Sequence, residues 1–486
     1  MKKYLLSLIM IICACTFVLT GCGAKGLDDN PPTNAAITGN GGYAIRKGEY
    51  LYYVNGFVDN YTTELDDYKT DNVEGEVVYG AIYRTKLVNN DFSKNDKGFL
   101  NKSECVVSKV VGYDNGGFYI VGDYIYYATP YMHVDSDGVI QNERISLNRI
   151  KIDGTGNKEI YVTEEGATDL KWQVSVLNNK AHLIVKQTVT KDDTTSTNII
   201  TIADNGKRFA TVATINNVSG VVLDSDVNLD SEYVFYTRAV NENEKQFTTQ
   251  GNLICKVSLL TGEETPYEID KTTSFTLVAL DNGRLYFTKA SYSKTYLYSY
   301  AVNQSLVNQT PVQLSNDTFK TYYTIEGVPH TVVAMDESNN VVKLENVNGE
   351  VVRTSIATAL TTVMGVNDNY LYSYDSNVLY RTSLDGGVKE TVSGIGSASD
   401  KTFLIDSNFM VDLDGRYVYV FAKYTAANGT DFGYYLNRID TYQTVMTAEF
   451  VGVLADEHMV ADPEDNEDSE ESEDDVVTDE KTPWIY

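Results

Sequence analysis

Between about residues 41 and 454, apolar and polar positions alternate with a period of two in short runs separated by turn residues. Eight runs are alike: a turn residue or two, then an aromatic and β-branched stretch. They read KGEYLYYVNG (47–56), VGDYIYYATP (121–130), LNNKAHLIVK (177–186), LDSEYVFYTR (229–238), LDNGRLYFTK (280–289), VPHTVVAMDE (328–337), VNDNYLYSYD (366–375) and LDGRYVYVFA (413–422), the third and sixth being less regular. Alternation sends successive side chains to opposite faces of a strand, and Tyr, Val, Ile and Thr suit a pleated surface. Asp-Gly, Asn-Gly and Gly-Asp pairs supply the positive-φ positions of hairpin turns. A second strand ending in a turn follows most anchors: AIYRTKL (81–87), SLNRIKIDGTG (146–156), NLICKVSLLTGEE (252–264), VLYRTSLDGG (378–387) and YYLNRID (434–440). No sustained spacing of three and four residues predicts a helix in this span.

The anchors recur every 38 to 74 residues, mostly near 50. Repeats of that period built only from short strands point to a propeller or another β-array. One such sheet has two apolar faces and is stable only between neighbours. The expected fold is therefore all-β, a single β-propeller of seven or eight four-stranded blades. Closing the ring requires residues 43–56 to lie beside strands from about 402 to 453.

The two ends of the chain are different material. Lys2 and Lys3, an apolar run over 5–19, and LTGC at 19–22 follow the order of a secretory signal. The run is shorter than the roughly twenty residues of a spanning helix. Position, length and flanks together resemble the bacterial lipoprotein signal, which implies cleavage before Cys22 and diacylglyceryl attachment to its thiol. Residues 1–21 are then signal peptide, 22–40 a Pro/Gly/Asn tether, 41–454 the propeller and 455–486 an acidic tail. Fourteen Asp and Glu between Asp456 and Glu480 leave too little apolar surface to offset ordering entropy, so disorder is expected there. The final TPWIY (482–486) is apolar by contrast.

Charge narrows the partners. With 68 acidic against 39 basic residues the formal charge is −29, which repels nucleic acid and anionic headgroups alike. Attachment to the membrane then rests on lipid at Cys22, on the extracytoplasmic face of a bacterial cell. Of five cysteines, Cys13 and Cys15 fall in the signal and Cys22 takes the lipid. Cys105 and Cys255 read as isolated buried thiols rather than a disulfide framework.

A further resemblance rests on the unit DGxxLYYxN…LYRxxLDG, visible at 122–127 with 147–154, at 281–287 with 297–300, and at 368–374 with 379–386. It is similar to the propeller repeat of low-density-lipoprotein-receptor-related proteins, and bacterial lipoproteins carry a similar domain of unknown function. The receptor repeats' YWTD is replaced by YYVN, YYAT, YFTK and YSYD, and Trp172 and Trp484 are the only tryptophans. The resemblance implies a fold and a location, and no activity.

Linear catalytic signatures are missing. There is no GxSxG and no HExxH, and His133, His182, His330 and His458 are far apart. GTGNK (154–158) and DNGKR (204–208) lack the P-loop spacing, and DSDG (135–138) and DLDG (412–415) lack the later glutamate of a Ca²⁺ loop. All four read as turns, and no metal or cofactor is expected. Tyrosine is the remaining signal, 37 residues against 16 Phe. Strand tyrosines are expected between blades, whereas loop tyrosines Tyr61, Tyr68, Tyr131, Tyr292 and Tyr424 suit ligand contact. The long acidic and aromatic insertion 58–79 is the leading functional embellishment. The reading is a surface-displayed binding or assembly lipoprotein, not an enzyme, holding a protein, peptide or glycan; the alternative is an extracytoplasmic lyase or hydrolase on the same scaffold.

Overall fold

In the computed structural model each of the eight anchors is the second strand of its own antiparallel sheet. The sheets follow one another along the chain as blades I (44–107), II (118–162), III (168–216), IV (218–267), V (274–315), VI (321–357), VII (362–391) and VIII (410–451). The described residues fall between 37 and 454, with gaps of which the longest are 59–72, 241–250, 303–310 and 394–409. Within every blade the order is first, second, third, fourth strand, as a meander. The architecture is an eight-bladed all-β propeller.

First strands of neighbouring blades touch one another from IV through VII, which sets them innermost around the axis. In five blades the pairing of third and fourth strands shifts by a residue: at Ile82/Tyr83, Leu147/Asn148, Ile199/Ile200, Leu297/Tyr298 and Val341/Val342. Such bulges increase local twist, which a blade needs in order to splay outward.

The core is distributed among the joints. Separate apolar clusters join II to III, III to IV, IV to V, V to VI, VI to VII and VII to VIII. Another gathers Tyr52 and Phe57 of blade I, Phe118 and Tyr127 of blade II, and Tyr417 and Phe421 of blade VIII. Tyr52, Tyr53, Tyr126, Tyr127, Tyr236, Tyr286 and Tyr372 are among the largest fully buried side chains, so the strand tyrosines fill the joints as their alternation predicts.

A cation recurs in the repeat. On the third strand of five blades it stands opposite a second-strand residue and covers the tyrosine two places earlier on that strand. Arg84 faces Tyr52 and lies over Tyr50, Arg149 faces Tyr126 over Tyr124, and Lys256 faces Phe235 over Tyr233. Arg381 faces Tyr372 over Tyr370, and Arg438 faces Tyr419 over Tyr417. Two of these arginines also reach the next blade: Arg84 donates to the Ile152 carbonyl at 3.0 Å and Arg381 to the Thr441 carbonyl at 3.1 Å. Thr201 Oγ1 donates to Leu259 O at 3.1 Å in the same place between III and IV. Each acceptor directly follows the third strand of its blade.

Closure uses the same joint with extra fasteners. Arg438 of blade VIII lies 3.9 Å over the Phe92 ring of blade I, and Lys94 pairs with Glu449 at 3.6 Å. Phe57–Val58, just past the second strand of blade I, pairs antiparallel with Tyr434 and Gly433 of blade VIII. The Tyr43 ring meets Phe421 edge-on at 5.1 Å. The first and last blades thus lie together as expected. Ile37 and Thr38, at the end of the expected tether, dock on blade II, where Ile37 bridges Val121 and Thr38 N donates to Ile120 O at 2.9 Å. Cys255 is buried and Cys105 is exposed, and neither is in a disulfide; the exposure of Cys105 corrects the expectation of two buried thiols. Cys105 sits on a fourth strand, the outer edge of its blade.

Candidate functional site

The connections between second and third strands all emerge at one end of the ring. There the strands differ most in length. The second and third strands span 11 and 12 residues in blade II, 12 and 10 in blade III, and 9 and 10 in blade VIII. They span only 5 and 7 in blade VI, and 6 and 6 in blade VII. Blade I carries the insertion 58–79 at the same place. Because VIII adjoins I, the long hairpins of VIII, II and III stand on either side of blade I on this face.

Local sequence explains the hairpin of blade III. Lys191 pairs with Thr194 across Asp192 and Asp193, whose φ values of 49° and 60° make the two-residue turn that matches strand twist. Below the turn, threonine hydroxyls pair across the strands, Thr188 with Thr197 at 3.2 Å and Thr190 with Thr195 at 2.9 Å. Such cross-strand pairs stabilise a hairpin that leaves the ring. The insertion of blade I is bolted at its roots. Tyr79 packs edge-on against Tyr435 at 6.0 Å, and Val73–Glu74 pairs with Val77–Val78.

Of the loop tyrosines, Tyr131 lies far out on the second strand of blade II, half-buried. The Arg144 guanidinium lies 5.4 Å over its ring and donates to the Thr163 carbonyl at 2.6 Å. Tyr424 occupies the equivalent outer part of blade VIII, its backbone paired with Gly433; its side chain is outside the described residues, as are Tyr61, Tyr68, Tyr292 and Cys22. Strand topology therefore brings Tyr131 and Tyr424 to the same end, on either side of blade I.

The opposite end holds a cleft of about 570 Å³ between blades VI, VII and VIII, which the sequence reading missed. Lys343 comes from the third strand of VI, Arg381 from the third strand of VII, Asp368 from the first turn of VII and Tyr370 from the start of its second strand. Tyr442 comes from the turn after the third strand of VIII. The Lys343 ammonium is 2.6 Å from Asp385 and 3.3 Å from Glu345. It holds the Asp385 carboxyl below the usual carboxylate range. Arg381 Nε is 2.6 Å from Glu390, and its guanidinium lies 4.2 Å from the Tyr370 ring centre. The available signal was the repeated Arg of LYR and LNR, which alternation assigned only to a strand.

The two histidines whose side chains are described do not converge. His182 is in blade III and His330 just before the second strand of blade VI; His133 and His458 have side chains outside the described residues. His330 Nδ1 is 3.1 Å from Ser299 Oγ and 3.4 Å from Arg284. Burial, and then the neighbouring Arg284 guanidinium, push its imidazole pKa below the usual histidine range. Ser299 is fully buried, so the pair does not present a nucleophile. Among the described residues no group of three or more His, Cys, Asp or Glu is placed to hold a metal ion.

No protein-family description matches the chain, and no curated protein matches it either. Solved structures with a similar arrangement include a prolyl endopeptidase, at 14% identity and a TM-score of 0.42 over 71% of this chain and 48% of that one. The β-propeller domain of the trilobed protease of Pyrococcus furiosus, described as having an open velcro topology, matches at 9% identity and 0.38 over 72% and 95%. An oligogalacturonate lyase in complex with manganese matches at 13% and 0.38 over 81% and 98%. The chain spans about half the length of the prolyl endopeptidase. The expectation that this chain is not an enzyme does not stand: enzymes are among the proteins that share this arrangement. Absence of linear motifs does not separate the classes, because a propeller assembles a site from residues far apart in sequence.

Proposed function

We propose that the protein is a lipid-anchored extracytoplasmic lipoprotein whose propeller holds a macromolecular ligand, a protein, peptide or glycan, against the face bearing the long hairpins. The observation that carries this reading is the set of long hairpins on blades VIII, II and III, on either side of blade I, where strands up to 12 residues long extend the second-to-third-strand connections. Connections of this kind, set on a rigid scaffold, are where binding residues concentrate. LTGC at 19–22 supports the anchor: two or three acyl chains, at about 0.8 kcal/mol per buried CH₂, hold a protein durably to a bilayer. The Tyr-rich repeat supports kinship with receptor-type propellers.

Two experiments test the two parts. Cys22→Ala abolishes incorporation of labelled palmitate and releases the chain from detergent-dependent fractionation; retention of both refutes the anchor. For the face, residues 188–197 are replaced by an Asn-Gly turn and, separately, Tyr131→Ala is made. Crosslinking in intact membranes then reports the partner. Loss of the crosslinked partner in either variant, with unchanged melting temperature, supports the reading. A partner captured equally by wild type and both variants overturns it.

A further inference from the structure

The cleft between blades VI, VII and VIII lies at the end of the ring away from the long hairpins, and its chemistry is selective. Its cations are already matched. Lys343 sits between Glu345 and Asp385, and Arg381 is held by Glu390 and the Thr441 carbonyl. Their side chains are 12% and 6% exposed, so these charges are fixed rather than free to swing to a ligand. Asp368 faces the cleft with no cationic partner among the described residues. An anionic ligand meets more carboxylates than cations there, and a polycation finds Glu345, Asp385 and Glu390 already occupied by Lys343 and Arg381, which leaves it Asp368 alone.

A neutral polyhydroxylated ring meets neither objection. Each sugar hydroxyl both donates and accepts, and the lining alternates acceptors such as the Asp368 carboxylate with the amides and hydroxyls of Asn369, Ser383, Gln443 and Thr444. The apolar C–H face of such a ring needs an accessible aromatic. Tyr442 supplies one at the cleft wall, where it is 73% exposed. Arg416, paired with Asp440 at 2.7 Å, lies 5.7 Å from its ring centre and steadies it. The cleft volume of about 570 Å³ falls within the roughly 300–1,000 Å³ of small-ligand sites. We infer that this cleft binds a short neutral saccharide, with the Tyr442 ring as the stacking surface and Asp368 as an acceptor for ring hydroxyls.

The test titrates the full chain in detergent, by calorimetry, with maltotriose, cellotriose, N,N′-diacetylchitobiose, digalacturonate and spermidine. Binding of at least one neutral saccharide is expected, with no heat from digalacturonate or spermidine. Tyr442→Ala and Asp368→Asn each weaken that saccharide by at least tenfold, whereas Tyr442→Phe keeps affinity within about threefold. Tyr442 is exposed and Asp368→Asn is nearly isosteric, so both variants fold, and an unchanged melting temperature checks this. The inference is overturned if no neutral saccharide binds, if digalacturonate or spermidine binds in its place, or if saccharide affinity is the same in Tyr442→Ala, Asp368→Asn and the wild type.

Discussion

Asn55 and Val453, 398 positions apart, hydrogen-bond each other in both directions: Asn55 Nδ2 donates to the Val453 carbonyl at 3.0 Å, and the Val453 amide donates to Asn55 Oδ1 at 2.7 Å. The side chain thus acts as one more rung of backbone pairing between blade I and the end of blade VIII. Asn55 is fully buried. Asn55→Ala leaves both Val453 groups without their partner and is expected to destabilise the ring by about 2–6 kcal/mol, at about 1–3 kcal/mol per orphaned group. Urea unfolding measures the loss; a variant as stable as wild type would show that closure does not depend on this rung.

Gly56, the next residue, has φ of +60°, and a Cβ there would come 2.6 Å from the Tyr435 ring and 2.9 Å from the Tyr434 carbonyl oxygen. Gly56→Ala therefore combines a left-handed backbone, at roughly 1–2 kcal/mol for an L-residue, with an overlap that moves blade VIII. An expected fall in melting temperature larger than that of Gly48→Ala, whose Cβ meets nothing within 4 Å at a similar φ of +60°, separates the two causes.

Arg381 ties blade VII to itself through Glu390 and to blade VIII through the Thr441 carbonyl. Lysine keeps the charge but cannot supply the planar fork or cover the Tyr370 ring in the same way. Arg381→Lys is expected to cost about 1–2 kcal/mol, the lower part of the range because Glu390 is 52% exposed. Arg353→Lys, at an ion pair where both partners are about half exposed, should change stability by under about 0.5 kcal/mol in the same unfolding assay.

Burial pushes the hydroxyls of Tyr83 and Tyr286 up to about 12, and it raises those of Tyr53, Tyr236 and Tyr300 as well. A folded-state value above the unfolded value of about 10 contributes stability that is complete below pH ~10 and is lost as pH rises through the folded values. Phenolate absorbance should therefore rise first for exposed tyrosines near pH 10. A second, cooperative rise should follow at higher pH together with loss of the β-sheet circular dichroism signal. A single smooth titration near pH 10 with the sheet signal intact would contradict the burial of these rings.

What the sequence determined by itself was the repeat. Period-two alternation, Tyr-rich anchors and Asp-Gly or Asn-Gly turns are local properties, and they located the second strand of every blade and the third strand of most. They also implied that the first and last blades meet, since two-faced apolar sheets need neighbours on both sides. The first and fourth strands were not legible. In blade VII they are only TVMGV and ET, too short to show a period. Tertiary structure alone decided which end of the ring each connection reaches, and so the placement of Tyr131 and Tyr424 at the same end. It alone gathered Lys343, Asp368, Arg381 and Tyr442 into a cleft. Those residues come from three blades and span 100 positions of sequence, and their proximity follows from the rotation between blades, a quantity no local window of sequence contains.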